Sequence, residues 1–367
     1  MDDSGDVGHG ADIDDSADID DETVAGMVRA CRPDWTVEPL ERSGYGTDLV
    51  CFLTCGTPGG RREAVLKATT ANLVPPEVAR SEPRLLELVG RETSVPVPDV
   101  YGSVDAHEEY PAPFYLMERI EGENFQGRPG ALPAAARDRI AAEAGRNLAA
   151  LHEVGRLPAV GAVGVRDGDL AVLDTDEYPR YDDTRTWLLS NCEDALASLE
   201  DGGWFPELAD RPDRFADLVP ALGDHLREAI PALPDPDPPT YCHWDNRYGN
   251  LLVDPEGGET RAVLDWANLR AADPAYNLAK AESHLFDPTA ENGDRVAALR
   301  RQFRTAYESA RPDWTLDDAA RERIETYRLT CRIDAMACLP LWLENATPAE
   351  RDERERQHRE FVADYLK

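Results

Sequence analysis

The stretch from residue 241 to 266 constrains the fold more than any other part of the chain. Two short apolar runs, 251–253 and 262–264, flank Pro255-Glu256-Gly257-Gly258. Runs of this kind around a proline- and glycine-bearing turn predict a β-hairpin. Polar residues gather at its open end: His243, Asp245 and Asn250 precede the first run, and Asp265 closes the second. An ionised carboxylate ending an apolar run is costly to bury unless it is paired or binds a metal. A hairpin brings Asn250 and Asp265 to the same end of neighbouring strands, where their oxygens suit a hard cation such as Mg2+. Asp245, five residues before Asn250, then faces the metal-bound substrate.

Upstream, residues 36–69 read as strands, with apolar positions at Val50, Phe52 and Leu53, a second run at 64–66, and a glycine-bearing turn at 56–60 between them. The second run ends on Lys67, a flexible point charge of the kind that suits nucleotide phosphates and equally a lysine reaching to the surface from a strand edge. Leu85, Leu86 and Val89 recur at helical spacing. Glu82 lies on their face, so its carboxylate points inward and needs a cation. Pro83 disfavours helical geometry at the residue before it, which places Glu82 at the helix start and keeps Glu87 and Glu77 as alternatives. Strand-like segments follow at 100–104 and 114–120, then a helical pattern over 133–154. The remainder is mostly helical, with the 241–266 hairpin as the one interruption. The expected class is α+β. An acidic tail at 1–22 precedes an N-terminal antiparallel-sheet lobe with one helix (23–121), a linker (122–132) and a larger, mainly helical C-terminal lobe (133–367).

Composition narrows the partners. The chain carries 72 acidic against 39 basic side chains, a net charge of -33, and its only lysines are Lys67, Lys280 and Lys367. Carboxylates scattered through the whole chain point to adaptation to concentrated salt, where at about 1 M the screening length is roughly 3 Å and self-repulsion is tolerated. No basic stripe exists to displace counterions, so nucleic acid is not expected as a partner. No apolar run reaches the roughly 18 to 20 residues of a membrane helix. The first 22 residues hold ten carboxylates and neither Lys nor Arg, the opposite of a secretory leader. Seven cysteines, with no Cys-x-x-Cys pair, suit small buried thiols in a reducing cytoplasm.

His243-x-Asp245 with Asn250, followed by Asp265 after the hairpin, resembles the kinase-like phosphotransferases, specifically the aminoglycoside phosphotransferase and choline kinase-like family. The resemblance implies a two-lobed protein kinase-like fold. It implies that Asp245 orients an acceptor hydroxyl and takes its proton, that Asn250 and Asp265 hold Mg2+ on the phosphates of ATP or GTP, and that His243 secures the loop. Lys67 and Glu82 resemble the ion pair that positions those phosphates. Ser43-Gly44-Tyr45-Gly46-Thr47 resembles the nucleotide-covering loop, and a plain turn explains it equally well. The 114–120 segment looks like the hinge, in which backbone groups of Glu118 and Ile120 hold adenine and Met117 is as readily a core residue. This chain departs from the family at Asn277, where an aspartate is common, and at Trp244, where a small residue is common.

Protein kinases carry a long peptide-docking segment after the metal aspartate and an arginine before the catalytic one. Here only seven residues separate Asp265 from Asp273, and Trp244 stands in the arginine's place. The expected activity is therefore transfer of a nucleotide γ-phosphate to a hydroxyl of a small molecule. The alternative is a nucleotide-binding regulatory protein without turnover. Helical segments at 178–199, 215–233 and 290–366 are expected to wall the acceptor pocket. Asp182, Asp183, Glu193 and Asp194 there either attract a cationic amino sugar or amino alcohol or belong to a salt-adapted surface.

Overall fold

Alternation between buried and half-exposed positions organises the N-terminal part of the computed structural model, which describes residues 19–43, 48–69, 74–286 and 293–367. Strands Thr36–Arg42 (β1), Leu49–Thr57 (β2), Gly60–Ala68 (β3), Val100–Val104 (β4) and Phe114–Glu118 (β5) form an antiparallel sheet in the order β1-β2-β3-β5-β4. Leu49, Cys51, Leu53 and Cys55 of β2 share one buried face with Ala64, Leu66, Phe114 and Leu116. Helix Asp21–Cys31 (α1) covers that face with Val24, Met27 and Val28, at the three- and four-residue offsets of a helical stripe. Each such side chain, taken fully out of water, contributes about 1.5–3 kcal/mol. The helix starts inside the stretch expected to be tail, because Asp20 caps it by accepting the Thr23 N–H at 2.8 Å. The opposite face of the sheet carries Lys67, which pairs across the ladder with Val50 and Tyr115.

The chain divides into two compact units, one of residues 1–88 and 98–120, the other of 89–97 and 121–367. Residues 89–97 fall with the second because the Pro96 carbonyl accepts the Val263 N–H at 2.8 Å. Helix Ser81–Glu92 (α3) follows the short helix Pro76–Ala79 (α2) and runs across that boundary.

The second unit is built on helices Ala134–His152 (α4), Thr184–Ser198 (α5), Val219–Ala232 (α6), Pro274–Leu285 (α7), Gly293–Ala310 (α8) and Asp318–Ala337 (α9), followed by Leu339–Trp342 (α10) and Pro348–Tyr365 (α11). α4 lies unusually close to α8: a Cβ on Gly145 would stand 2.3 Å from the Phe303 carbonyl oxygen, so only glycine allows this approach. Among the described residues no helix is long and apolar enough to cross a membrane. All seven cysteines are unpaired thiols.

The expectation of a single interruption in the helical part is corrected. Gly161–Arg166 (β6) and Asp169–Val172 (β7) form a hairpin, and with Arg270–Ala272 (β11) and Thr240–Cys242 (β8) they make a sheet in the order β7-β6-β11-β8. The turn is Asp167-Gly168 with φ of 53° and 93°, both left-handed, the geometry a two-residue hairpin loop demands. The expected hairpin is also present, formed by Leu251–Val253 (β9) and Thr260–Val263 (β10).

Candidate active site

The β9–β10 register pairs Val263 with Leu251 and Ala262 with Leu252, and the Leu264 N–H continues it by donating to the Asn250 carbonyl at 2.8 Å. Asn250 and Asp265 therefore lie at the same end of adjacent strands. Asp265 has φ of 61°, a left-handed backbone that costs a non-glycine residue energy and is concentrated at functional positions. His243, fully buried, donates Nε2–H to the Leu264 carbonyl at 3.1 Å and sets its ring edge-on against Trp266. Burial lowers the His243 pKa, against the pull of Asp245 and Asp265, so the ring is neutral and ties the loop to the end of β10.

Asp245 is gripped from both sides. Its Oδ2 accepts from Arg247 Nε at 2.7 Å and from Asn250 Nδ2 at 3.0 Å, and its Oδ1 faces His284 Nδ1 at 3.3 Å. Burial works to raise its pKa, but His284 and Arg247 outweigh it and hold the carboxyl well below the usual range. The group stays ionised at any working pH. Asn250 also donates Nδ2 to the Asp245 backbone carbonyl at 2.9 Å, which turns its amide hydrogens to Asp245 and leaves Oδ1 as the atom that could face a metal. Among the described residues no three His, Cys, Asp or Glu side chains gather into a metal-binding group. One amide oxygen and one carboxylate, completed by phosphate oxygens and water, is the donor set that Mg2+ takes in nucleotide sites, so Asn250 and Asp265 fit it.

Behind the loop runs a directional chain of hydrogen bonds. Asn277 on α7 donates Nδ2 to the His243 carbonyl at 2.7 Å, so its Oδ1 accepts from His152 Nε2 at 3.1 Å. That leaves His152 Nδ1 to accept the Tyr307 hydroxyl at 2.8 Å, while the same hydroxyl accepts from Arg311 Nη1 at 2.8 Å. Burial pushes the His152 pKa down to about 3, with Arg311 adding to the effect against the Asn277 bond. Trp244, instead of a small residue, stacks on Tyr276 with centroids 5.1 Å apart and carries Lys280 Nζ 4.7 Å from its ring centroid.

In the sheet unit, Lys67 Nζ stands 2.7 Å from Glu82 Oε2 and 3.5 Å from Asp48 Oδ2. Glu82 is buried and Lys67 partly so, and Pro83 sits within the first turn of α3, where a missing N–H costs no helix bond. Glu82 is thus the residue paired with Lys67, while Glu77 and Glu87 are exposed. The Ser43 N–H donates to the Val50 carbonyl at 2.8 Å, while Gly44 and Gly46 lie outside the described residues. The Glu118 N–H is already bound to the Asp99 carbonyl at 2.8 Å, which narrows its part in a hinge to the carbonyl; Ile120 follows two residues after β5 ends.

The four acidic residues considered for an acceptor have other surroundings. Asp183 caps α5 by accepting the Thr186 N–H and hydroxyl at 2.8 and 2.9 Å, Asp182 pairs with Arg180, and Glu193 and Asp194 are exposed. Arg247, His284, His152, Tyr307 and Arg311 went unnoticed in the sequence. Arg247 lies inside the motif itself, but a cation two residues from an acid signals a contact only once the loop is known.

The model of the phosphotransferase enzyme family (APH) matches residues 48–315. No curated protein matches the chain. Among solved structures, a provisionally named aminoglycoside phosphotransferase of Ralstonia eutropha JMP134 is 19% identical with a TM-score of 0.60, over 95% of this chain and 98% of its own. An APH(2″) protein in complex with GDP and kanamycin is 15% identical with a TM-score of 0.54, over 93% and 97%. The ethanolamine kinase of Plasmodium vivax is 11% identical with a TM-score of 0.51, over 90% and 82%. At these identities the likeness is one of fold, the kinase-like fold expected from the sequence.

Proposed function

The chain belongs to the phosphotransferase enzyme family, and we propose that it is a small-molecule kinase that moves the γ-phosphate of ATP or GTP to an acceptor hydroxyl. The observation that carries this reading is the Asp245 carboxylate, ionised and gripped at both oxygens, on the same loop as Asn250 and beside the strand end that bears Asp265. Asp245 is assigned the acceptor hydroxyl: it accepts the hydroxyl hydrogen bond, orients the oxygen toward phosphorus and receives the proton as the new bond forms. A phosphoryl transition state that is loose needs little pull from a base, so a carboxylate this weakly basic is adequate for orientation. Asn250 and Asp265 are assigned to Mg2+, which when bound neutralises charge on the phosphates.

Lys67, held straight by Glu82, is assigned to the nucleotide phosphates, with Ser43, Gly44 and Gly46 as the covering loop. The Glu118 carbonyl and the Ile120 N–H are assigned to the base. Two features would favour the reading without turnover, Asn277 in place of an aspartate and Pro83 beside Glu82. Both lose force, because Asn277 donates to the His243 carbonyl of the loop and accepts from His152, and Pro83 leaves the Lys67–Glu82 pair in place. We place the activity in the cytoplasm, where seven unpaired thiols stay reduced.

The test is Mg2+-dependent nucleotide turnover in molar KCl, the salt that the -33 charge calls for, across amino sugars, amino alcohols, sugars and small hydroxylated metabolites. Kanamycin and ethanolamine come first in that screen, as the compounds named with the fold's neighbours. Asp245→Ala is expected to lower transfer by about 10²–10⁴-fold with nucleotide binding retained. Equal transfer in that variant removes Asp245 from its role, and nucleotide binding with no turnover on any acceptor favours the regulatory reading.

A further inference from the structure

One face of α7 addresses the catalytic loop twice. Asn277 and His284 are seven residues apart, two helical turns, and so share a face. Asn277 holds the loop at the His243 carbonyl, and His284 meets it at Asp245, with Nδ1 3.3 Å from Oδ1. We propose that His284 is a positioning residue for phosphoryl transfer, backing Oδ1 of Asp245 so that this oxygen, rather than Oδ2, takes the acceptor hydroxyl. The proposal rests on the kinase reading above.

The hydrogen-bonding capacity of the two oxygens leads to this assignment. A carboxylate oxygen offers two lone pairs. Arg247 Nε and Asn250 Nδ2 occupy both on Oδ2. Oδ1 has the single contact with His284, which leaves one lone pair, and the Asp245 side chain as a whole is a third exposed. His284 Nδ1 is itself buried, and its contact with Oδ1 at 3.3 Å is a long and poorly aligned hydrogen bond. A bare lone pair on Nδ1 would repel the carboxylate, which puts the ring proton on Nδ1. The groups facing the ring are Asp245, Lys280, Arg247 and His243, and Trp342 of α10 stands edge-on with its centroid 6.4 Å away. Burial lowers the His284 pKa against the pull of Asp245, so the ring acts as a neutral N–H donor.

A packing role and a donor role separate by substitution. Phenylalanine keeps the ring and loses the donor; asparagine loses the ring and keeps an N–H donor near the place of Nδ1. The experiment measures ATP hydrolysis with water as the acceptor, with Mg2+ in molar KCl, together with the affinity for a fluorescent ADP analogue. His284→Phe is expected to lower kcat about tenfold or more, the scale of a misplaced reacting group, with ADP-analogue affinity unchanged. His284→Asn is expected to recover most of that loss. Unchanged kcat in His284→Phe, or equal losses in both variants, overturns the proposal. Should His284→Phe not fold, His284→Ala with added imidazole replaces it: recovery of kcat supports positioning and no recovery overturns it. A wild-type protein that turns over no nucleotide overturns the kinase reading itself, whereas an active wild type with an equally active His284→Phe overturns this proposal alone.

Discussion

Asn277 and His243 are joined by a 2.7 Å hydrogen bond in which the side-chain amide donates to a backbone carbonyl, a bond that an ionised aspartate cannot make. The residue that looks like a defect against the family pattern is the one that fits its surroundings, since His152 donates to the same amide from the other side. Asn277→Asp would set a buried carboxylate against the His243 carbonyl. The expected cost is about 3 kcal/mol or more in unfolding free energy, the penalty of a buried charge without its donor. Urea unfolding in molar KCl checks this, and a midpoint equal to wild type would show that the loop carbonyl readily finds another donor.

The Lys67–Glu82 pair allows stability to be separated from nucleotide binding. Removing Lys67 alone leaves Glu82 buried without its closest cation, and Lys67→Ala is expected to destabilise the chain by about 3–5 kcal/mol. Replacing both partners, as Lys67→Met with Glu82→Leu, is expected to restore most of that stability, because apolar groups of similar shape need no partner. Nucleotide affinity should stay low in the double variant. Chemical denaturation and nucleotide titration of the same two proteins check this; recovered affinity in the double variant would mean that Lys67 acts only in the fold.

His152 makes folding sensitive to acid. Its folded pKa is pushed down to about 3, below the roughly 6.5 of an exposed histidine. In the window between those values the unfolded chain binds a proton that the folded chain refuses. The contribution is therefore complete above the unfolded pKa and is lost as pH falls through the window, by about 1.4 kcal/mol per pH unit. His152→Gln removes the titrating group and keeps an amide donor toward Asn277. Between about pH 6 and pH 4 the unfolding free energy of wild type should fall more steeply than that of the variant, by one proton's worth of slope. Parallel slopes would show that His152 is protonated inside the fold.

Local patterns were readable where the physics is local. The β9–β10 hairpin announced itself through Pro255 and Gly257-Gly258 between apolar runs, and the Lys67–Glu82 pair through a strand-ending lysine and an inward-facing carboxylate. The β6–β7 hairpin carried an equally local signal in Asp167-Gly168, passed over because Gly161–Arg166 is buried along almost its whole length and shows no alternation. What the sequence could not show was long-range. His152 and Tyr307 reach Asn277, and through it the loop, from α4 and α8, with Arg311 just past the end of α8, and His284 reaches Asp245 from 39 positions away. No periodicity marks which face of α7 meets which loop. Asp183 illustrates the reverse case: its charge suggested ligand binding, and its position before Thr184 made it a helix cap.

Because Asn250 and Asp265 are brought together by strand pairing, the number of residues between them carries no constraint of its own. The tip at Asp254–Glu259 can lengthen without moving either oxygen, since added residues stay outside the ladder and each doubling of a flexible loop costs only about 0.6 kcal/mol. A single residue inserted within Leu251–Val253 would instead turn every later side chain of that strand to the opposite face. Proteins that share this centre can therefore differ widely in the gap between amide and carboxylate, and a search that fixes the gap will overlook them.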